Sequence, residues 1–229
     1  MSSDAAILIV AKSPVPGAAK TRLAPVYGAQ GAAQLAASAL LDTLRQARAV
    51  EGARVLVAWS GELTAAIRRD ELAGELAACD VFAQRGNDFA ERLMNAHLDA
   101  ARAGIRHVLQ IGMDTPQLGP TVMSRSLERV ATSGPSTAWL GPADDGGWWA
   151  LGLTDAAGAD LLRGVPMSRA YTAAHTTRVL RRAGLRVNRL PWLRDVDHPE
   201  DVAAVASSCS AGAEFAATAS AIGPVASAS

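Results

Sequence analysis

Three cations stand close together near the start of the chain: Lys12, Lys20 and Arg22, in the segment AKSPVPGAAKTRL at 11–23. They stand out because only two of the 22 basic residues are lysines, and both are here. Prolines stiffen this segment, and Gly17 allows close backbone approach to a ligand. Several fixed cations with backbone N–H groups beside them suit a polyphosphate. The segment lacks the GxxxxGK[ST] pattern of a P-loop, so any phosphate binding follows another design. A solvated basic loop is the other reading of the same residues.

Three further motifs carry acidic groups. In IGMDTPQL (111–118), an apolar run ends in Gly-x-Asp, so Asp114 should emerge at the end of a strand. Oxygen ligands at such a place suit Mg²⁺ or Mn²⁺, although an Asp here can also cap the next helix. In GPADDGGWWALG (141–152), paired Asp and Gly residues precede an aromatic-led strand. Asp144, Asp145, Gly146, Gly147 and Trp148 are candidates for contact with an acceptor, against a hairpin turn with tryptophan packing. In RDVDHPEDV (194–202), Asp195 and Asp197 share a side if the segment is extended, and either could join Asp114 on a divalent ion. Glu200 and Asp201 also suit the first turn of a helix beginning near Pro199. Gln84 and Gly86, flanking Arg85, follow a short strand and could touch a nucleobase or an acceptor. The four histidines show no metal-ligand spacing, and His97 and His107 read as structural.

These residues need a scaffold that collects them. Short apolar runs at 6–11, 54–59, 80–84, 107–111, 137–140, 148–153 and 185–190 read as strands. Helical segments are expected at 29–49, 62–78, 88–103, 118–131, 156–163 and 170–183, with another starting after Pro199. Alternating strands and helices predict an α/β fold with a mainly parallel sheet and ligands beyond the strand C-termini. A domain over 1–206 is expected. The Ala/Ser-rich stretch 207–229 is expected to be a disordered or loosely helical tail without a functional role.

Composition narrows the function. At 229 residues with 49% apolar and 19% charged, the chain can bury a full core. Equal numbers of basic and acidic residues, 22 each, argue against a nucleic-acid partner. No apolar stretch reaches the roughly 20 residues that span a bilayer, and the start does not read as a signal peptide. Cys79 and Cys209 are too few and too far apart for a disulfide framework or zinc site. A cytoplasmic protein without a membrane partner is expected; oligomeric state is open.

Taken in order, the four motifs resemble the rSAM/selenodomain-associated transferase family, DUF2064. Members carry AKxPxPGxxKTRL, G-[ST]-D-x-P-x-L, GPxxDGGYxLxGL and D-[IV]-D-T-P-E-D-L. Here these read AKSPVPGAAKTRL, GMDTPQL, GPADDGGWWALGL and DVDHPEDV, over about residues 6–204. The resemblance implies the GT-A nucleotide-diphospho-sugar transferase fold, a three-layer α/β sandwich. It extends more distantly to 2-phospholactate guanylyltransferase and the molybdenum-cofactor guanylyltransferase. By that likeness Ala11, Lys12, Ser13, Gly17, Lys20 and Arg22, with Gln84 and Gly86, would bind the nucleotide. Asp114 and Asp197 would hold Mg²⁺ or Mn²⁺, and Lys20, Arg22 and Asp114 would be catalytic. Met113, Trp148 and His198 depart from the family pattern without removing a charged group.

The implied activity is transfer from a nucleoside triphosphate or nucleotide sugar to a small acceptor. Glycosyltransferases of this fold usually carry Asp-x-Asp at the central strand end and lack a basic loop after the first strand. Gly-Met-Asp with a basic first loop favours nucleotidyl transfer to a phosphorylated acceptor. Glycosyl transfer is the alternative. A nucleotide-binding protein without turnover is the reading from another class, and it would require lost phosphate cations or metal ligands.

Overall fold

The computed structural model describes residues 4–223. Its strands are β1 (Ala5–Lys12), β2 (Arg54–Ser60), β3 (Asp80–Ala83), β4 (His107–Gly112), β5 (Thr137–Pro142), β6 (Trp148–Leu153) and β7 (Arg186–Arg189). Its α-helices are α1 (Ala24–Arg48), α2 (Arg69–Leu76), α3 (Phe89–Arg102), α4 (Pro120–Thr132), α5 (Thr172–Arg182), α6 (Pro199–Ser208) and α7 (Glu214–Ala221). The strands form one sheet in the order β3-β2-β1-β4-β6-β5-β7. β6 runs antiparallel to both its neighbours, and every other pairing is parallel. This is the mainly parallel α/β architecture that the alternating pattern predicts.

Period-two alternation assigns each β1 side chain to one face of the sheet. Ile7, Ile9 and Ala11 join the core made with α1, α2 and α4. Ala6, Leu8 and Val10 join the opposite core made with α3 and α5. Burial on both sides is why β1 reads as an unbroken apolar run. β1 and β4 are sequence-distant neighbours at the centre of the sheet. From β1 the order runs outward to β2 and β3 on one side and to the later strands on the other. A cleft forms beyond the carboxyl ends of strands where the order reverses in this way.

The boundaries differ in places. The 62–78 segment becomes a 3-10 turn, Leu63–Ala65, followed by α2. The expected 156–163 helix is 3-10, Ala156–Leu162, with the Asp155 carboxylate accepting from the Ala157 N–H at 3.0 Å. α1 begins earlier than expected and is kinked at Gly28, where φ is +69°.

Over its described part the tail is helical, but firmly docked where a disordered or loose segment is expected. Glu214–Ala221 forms α7, and Phe215 is completely buried with Leu23, Leu35 and Val202. Asp42 fixes the start of α7 by accepting from the N–H groups of Glu214 (3.0 Å) and Phe215 (2.8 Å). Small residues flank Phe215, so a single aromatic anchors a segment whose composition otherwise reads as loose. Residues 224–229 lie outside the described residues. No helix among the described residues is long and apolar enough to cross a membrane.

Two consequences can be measured. Phe215→Ala should destabilise the protein by about 3–5 kcal/mol, the usual cost of emptying a buried aromatic site. A urea-unfolding midpoint unchanged by the substitution would mean that α7 is not docked. The second concerns His97, fully buried on α3 with Nε2 2.9 Å from Gln110 Oε1. Burial lowers its pKa from 6.5 to about 4, partly opposed by the Gln110 hydrogen bond. Above pH 6.5 the ring is neutral in both the folded and unfolded states. Between pH 6.5 and about 4 only the unfolded chain takes up the proton, so stability falls with pH; it levels off below that range. His97→Gln should remove a slope of about 1.4 kcal/mol per pH unit in that window. Unfolding curves with the same slope in both proteins would sink this assignment.

Candidate active site

A cleft of about 810 Å³ lies over the carboxyl ends of β1 and β4. Its acidic pole is built from three distant segments. β4 ends at Gly112, and Asp114 follows two residues later. The Asp114 carboxylate folds back over the strand end, into space that a side chain at 112 would occupy: a Cβ there would lie 2.6 Å from Asp114 Oδ1. The last motif docks beside it, with the Val196 N–H donating to the Asp114 carbonyl at 2.9 Å. Asp201 then accepts from the N–H groups of Asp197 (3.1 Å) and His198 (2.7 Å). These bonds fix Asp197 at the entrance to α6.

The loop after β1 crosses this pole. Ser13 anchors it by donating its N–H to Ser60 at 2.7 Å and its hydroxyl to the Glu62 carbonyl at 2.8 Å. Gly17 provides a positive φ of +76°. Lys20 also has a positive φ, +46°, unusual for a side-chain-bearing residue. That conformation delivers its ammonium to Asp114 Oδ2 at 2.8 Å and to within 3.7 Å of Asp197 Oδ1. Arg22 pairs with the other Asp197 oxygen.

Charge balance shapes the site. Burial pushes the Lys20 ammonium down, but Asp114, Asp197 and Asp195 outweigh it and hold the pKa above its usual value. Asp195 lies in the same cleft. Burial, with repulsion from Asp114 and Asp145, pushes its carboxyl up to about 7, while Lys20 partly opposes the rise. The pole therefore holds more acidic groups than its two cations neutralise.

The remaining candidates separate into those that face the cleft and those that do not. Ala11, Lys12, Gln84, Asp145, Gly147 and Trp148 line it. The Lys12 ammonium donates to the Ala18 carbonyl at 2.8 Å and so closes its own loop. Gln84 Nε2 donates to the carbonyls of Ala11 and Ala58, both at 2.9 Å, tying the ends of β1 and β2 together. Asp145 accepts from the Gly147 N–H at 2.7 Å. Met113, a departure from the family pattern, accepts the Lys12 N–H on its sulfur at 3.1 Å.

Ser13 and Gly17 support the loop from outside the cleft. Asp144 also lies outside it and pairs with Arg194 at 2.9 Å. Gly86 and Gly146 serve packing. A Cβ at 86 would come 2.7 Å from the Glu91 Cβ, and one at 146 would meet the Ala170 carbonyl oxygen at 1.9 Å. The glycine signal was real, but the close neighbour is the protein's own backbone or side chain. Phe89, Arg92, Met167 and Arg169 also line the cleft and were missed. Phe89 and Arg92 share an i, i+3 face of α3, a signal masked by helical amphipathicity. The loop that carries Arg169 has no motif.

The fold and site can now be set beside known proteins. A structure from Desulfovibrio desulfuricans G20, named as a nucleotide-diphospho-sugar transferase, is 29% identical, with a TM-score of 0.74. The match covers 86% of this chain and 84% of that chain. A cytidylyltransferase from Leptospira borgpetersenii serovar Hardjo-bovis is 16% identical, with a TM-score of 0.53, covering 84% of this chain and 78% of its own. A 4-diphosphocytidyl-2C-methyl-D-erythritol synthase from Anaerococcus prevotii DSM 20548 is 8% identical, with a TM-score of 0.54 and coverage of 88% and 95%. The last two share the fold. No curated protein matches the chain. A family model described as an uncharacterized protein conserved in bacteria (DUF2064) matches residues 43–169, more than half of the chain. With that match and a seven-stranded sheet of nucleotide-diphospho-sugar transferase type, the protein belongs to the DUF2064 family.

Proposed function

We propose that this protein is a divalent-metal-dependent nucleotidyltransferase. It would move a nucleoside monophosphate from a triphosphate to a small phosphorylated acceptor and release pyrophosphate. The observation that carries this reading is the basic loop after β1, which delivers Lys20 and Arg22 onto Asp114 and Asp197. A triphosphate needs cations of this kind where its pyrophosphate leaves.

Among the described residues, no group of three or more His, Cys, Asp or Glu side chains is poised to hold a metal. The donor chemistry nevertheless fits Mg²⁺. The donors are carboxylate oxygens, and the Lys20 ammonium already takes a cation's place between two of them. Asp114 and Asp197 would hold the ion. Bound there, Mg²⁺ would draw charge from the α-phosphate and lower the barrier to attack.

The protein's own residues account for the remaining needs. Lys20 and Arg22, released from the carboxylates, would neutralise the phosphates as the leaving group gains charge. An acceptor phosphate oxygen would form a bond to the α-phosphorus as the bond to the bridging oxygen breaks in line. Pyrophosphate would leave with that electron pair. The acceptor is already ionised, so the step needs no general base. Trp148, held by a hydrogen bond from Nε1 to Thr176 Oγ1 at 3.2 Å, would give a fixed surface for the acceptor.

Glycosyl transfer from a nucleotide sugar is the second reading. It is favoured by Asp145, which lies in the cleft beside Trp148 where it could accept a proton from an acceptor hydroxyl. The similar protein from Desulfovibrio also bears that functional name.

A thermal-shift panel of nucleoside triphosphates and nucleotide sugars, with and without Mg²⁺, separates the two readings. A ligand at 100 times its Kd should add about 2.7 kcal/mol of stability and raise Tm by several degrees. The expected result is an Mg²⁺-dependent shift with a triphosphate, followed by pyrophosphate release in turnover assays. A shift only with a nucleotide sugar, with nucleoside diphosphate as product, would replace the first reading by the second. Asp114→Ala should reduce metal-dependent turnover by at least about 100-fold while the protein stays folded. Full activity in that variant would show that the acidic pole is not the reaction centre.

A further inference from the structure

We propose that Arg92 and Arg169, which line the same cleft as Lys20, form an anion-binding subsite for the acceptor. It would hold a phosphate, phosphonate or carboxylate at one end of a molecule whose apolar body lies against Phe89, Met167 and Trp148. This assignment rests on reading the cleft as a transferase site.

Both arginines line the cleft, and neither makes an ion pair with a described carboxylate. That sets them apart from Lys20 and Arg22, which are engaged at the acidic pole. Arg92 lies in the first turn of α3, where the helix dipole disfavours a cation, so helix stability does not explain it. The carboxylate next to it, Glu91, is already used. Glu91 accepts from the Asn87 N–H at 2.8 Å and faces Arg163 at 3.7 Å. Among the described residues, the only hydrogen bond of the Arg92 side chain is a long one from Nε to the Gly86 carbonyl, at 3.4 Å. Its terminal nitrogens are left for a ligand.

Arg169 is exposed, but its backbone is held firmly. The buried Thr172 hydroxyl accepts from the Arg169 N–H at 3.1 Å and donates to the Pro166 carbonyl at 2.8 Å. The Arg169 carbonyl accepts from the Thr172 N–H at 2.9 Å. The Gly146 carbonyl accepts from Ala173 at 3.0 Å and locks the loop against the DGG turn. Ser168, immediately before Arg169, has a positive φ of +56°. A pinned turn thus presents to the cavity a guanidinium with no ion-pair partner among the described residues. Two guanidiniums suit the planar or tetrahedral oxygens of an anion.

The apolar half of the wall supplies the second element. Phe89 is 47% exposed, although it begins an otherwise well-packed helix. Trp148 and Met167 are half-buried and line the same cleft. Aromatic and thioether surface next to two cations fits an amphipathic small molecule better than a bare ion.

Isothermal titration of the full chain with phenyl phosphate tests this. Arg92→Met and Arg169→Met are compared with Arg178→Met, an equal loss of charge at an exposed position on α5 outside the cleft. Each cleft variant should weaken binding about tenfold or more, the worth of one charge-assisted hydrogen bond, while Arg178→Met leaves it unchanged. Inorganic phosphate, which lacks the ring, should bind more weakly than phenyl phosphate. Equal losses in all three variants, or no binding in the millimolar range, would overturn the subsite. Equal affinity for inorganic phosphate would overturn its apolar half. A triphosphate found to bind should do so together with phenyl phosphate, and mutual exclusion would place the probe at Lys20 instead. Failure of every triphosphate to bind would remove the nucleotidyl reading alone, because the losses in Arg92→Met and Arg169→Met are read without nucleotide.

Discussion

One ammonium shared by two carboxylates organises this molecule. Lys20, Asp114 and Asp197 are far apart in sequence, yet their charged atoms meet within 4 Å. Two close carboxylates repel, and burying them increases the cost unless a cation lies between them. The fold meets that requirement at the centre of the sheet. β1 delivers the cation loop and β4 delivers Asp114, side by side and parallel. The third partner arrives only after the chain has completed β5, β6 and β7. It is then fastened by the Val196–Asp114 backbone bond and by the acidic cap of α6. The positive φ at Lys20 belongs to the same constraint, because the lysine must leave its loop in a direction that ordinary backbone does not supply.

This requirement extends to the end of the chain. α6 positions Asp197, and α6 packs with α7 against the start of α1 through Leu23, Val202 and Phe215. Leu23 directly follows Arg22. The apolar cluster therefore steadies both sides of the Arg22–Asp197 pair, and the late helices contribute to the geometry of the site.

Much of this was legible in the sequence, for physical reasons that differ by residue. A strand buried on both faces has to be continuously apolar, so β1 and β4 were plain. A charged residue directly after such a strand must emerge at the strand end, so Asp114, Lys12 and the basic loop were placed correctly at the cleft. Glycine was less informative. It marks a close approach but not the approaching group, and at 86 and 146 that group is the protein itself. Adjacent aspartates were ambiguous for a similar reason. In a turn, Asp144 and Asp145 face different surroundings, and only the position of Arg194 decides which one leaves the cleft. Phe215 was hidden because composition averages over a window, whereas one fully buried ring is enough to dock a short helix. Arg92 and Arg169 had no local signature, because their significance depends on what fails to pair with them in space.

The equal count of acidic and basic residues conceals a polarised cleft. At one pole, carboxylates hold Lys20 and Arg22 in reserve. Elsewhere in the cleft, Arg92 and Arg169 have no carboxylate partner among the described residues. Under either proposed reaction the first pole meets the same demand, since a departing pyrophosphate and a departing nucleoside diphosphate are both anions that gain charge as they leave. Pyrophosphate leaves with the larger charge of the two, so in the proposed reading the basic loop would favour a triphosphate donor. The acceptor bears on the same choice. An acceptor whose reacting oxygen is already ionised could attack phosphorus without surrendering a proton. A wall built around Asp145 alone would suit a neutral hydroxyl that must be deprotonated on the way to carbon. If Arg92 and Arg169 bind the acceptor as proposed, the acceptor would carry a chemical distinction that the shared fold leaves open.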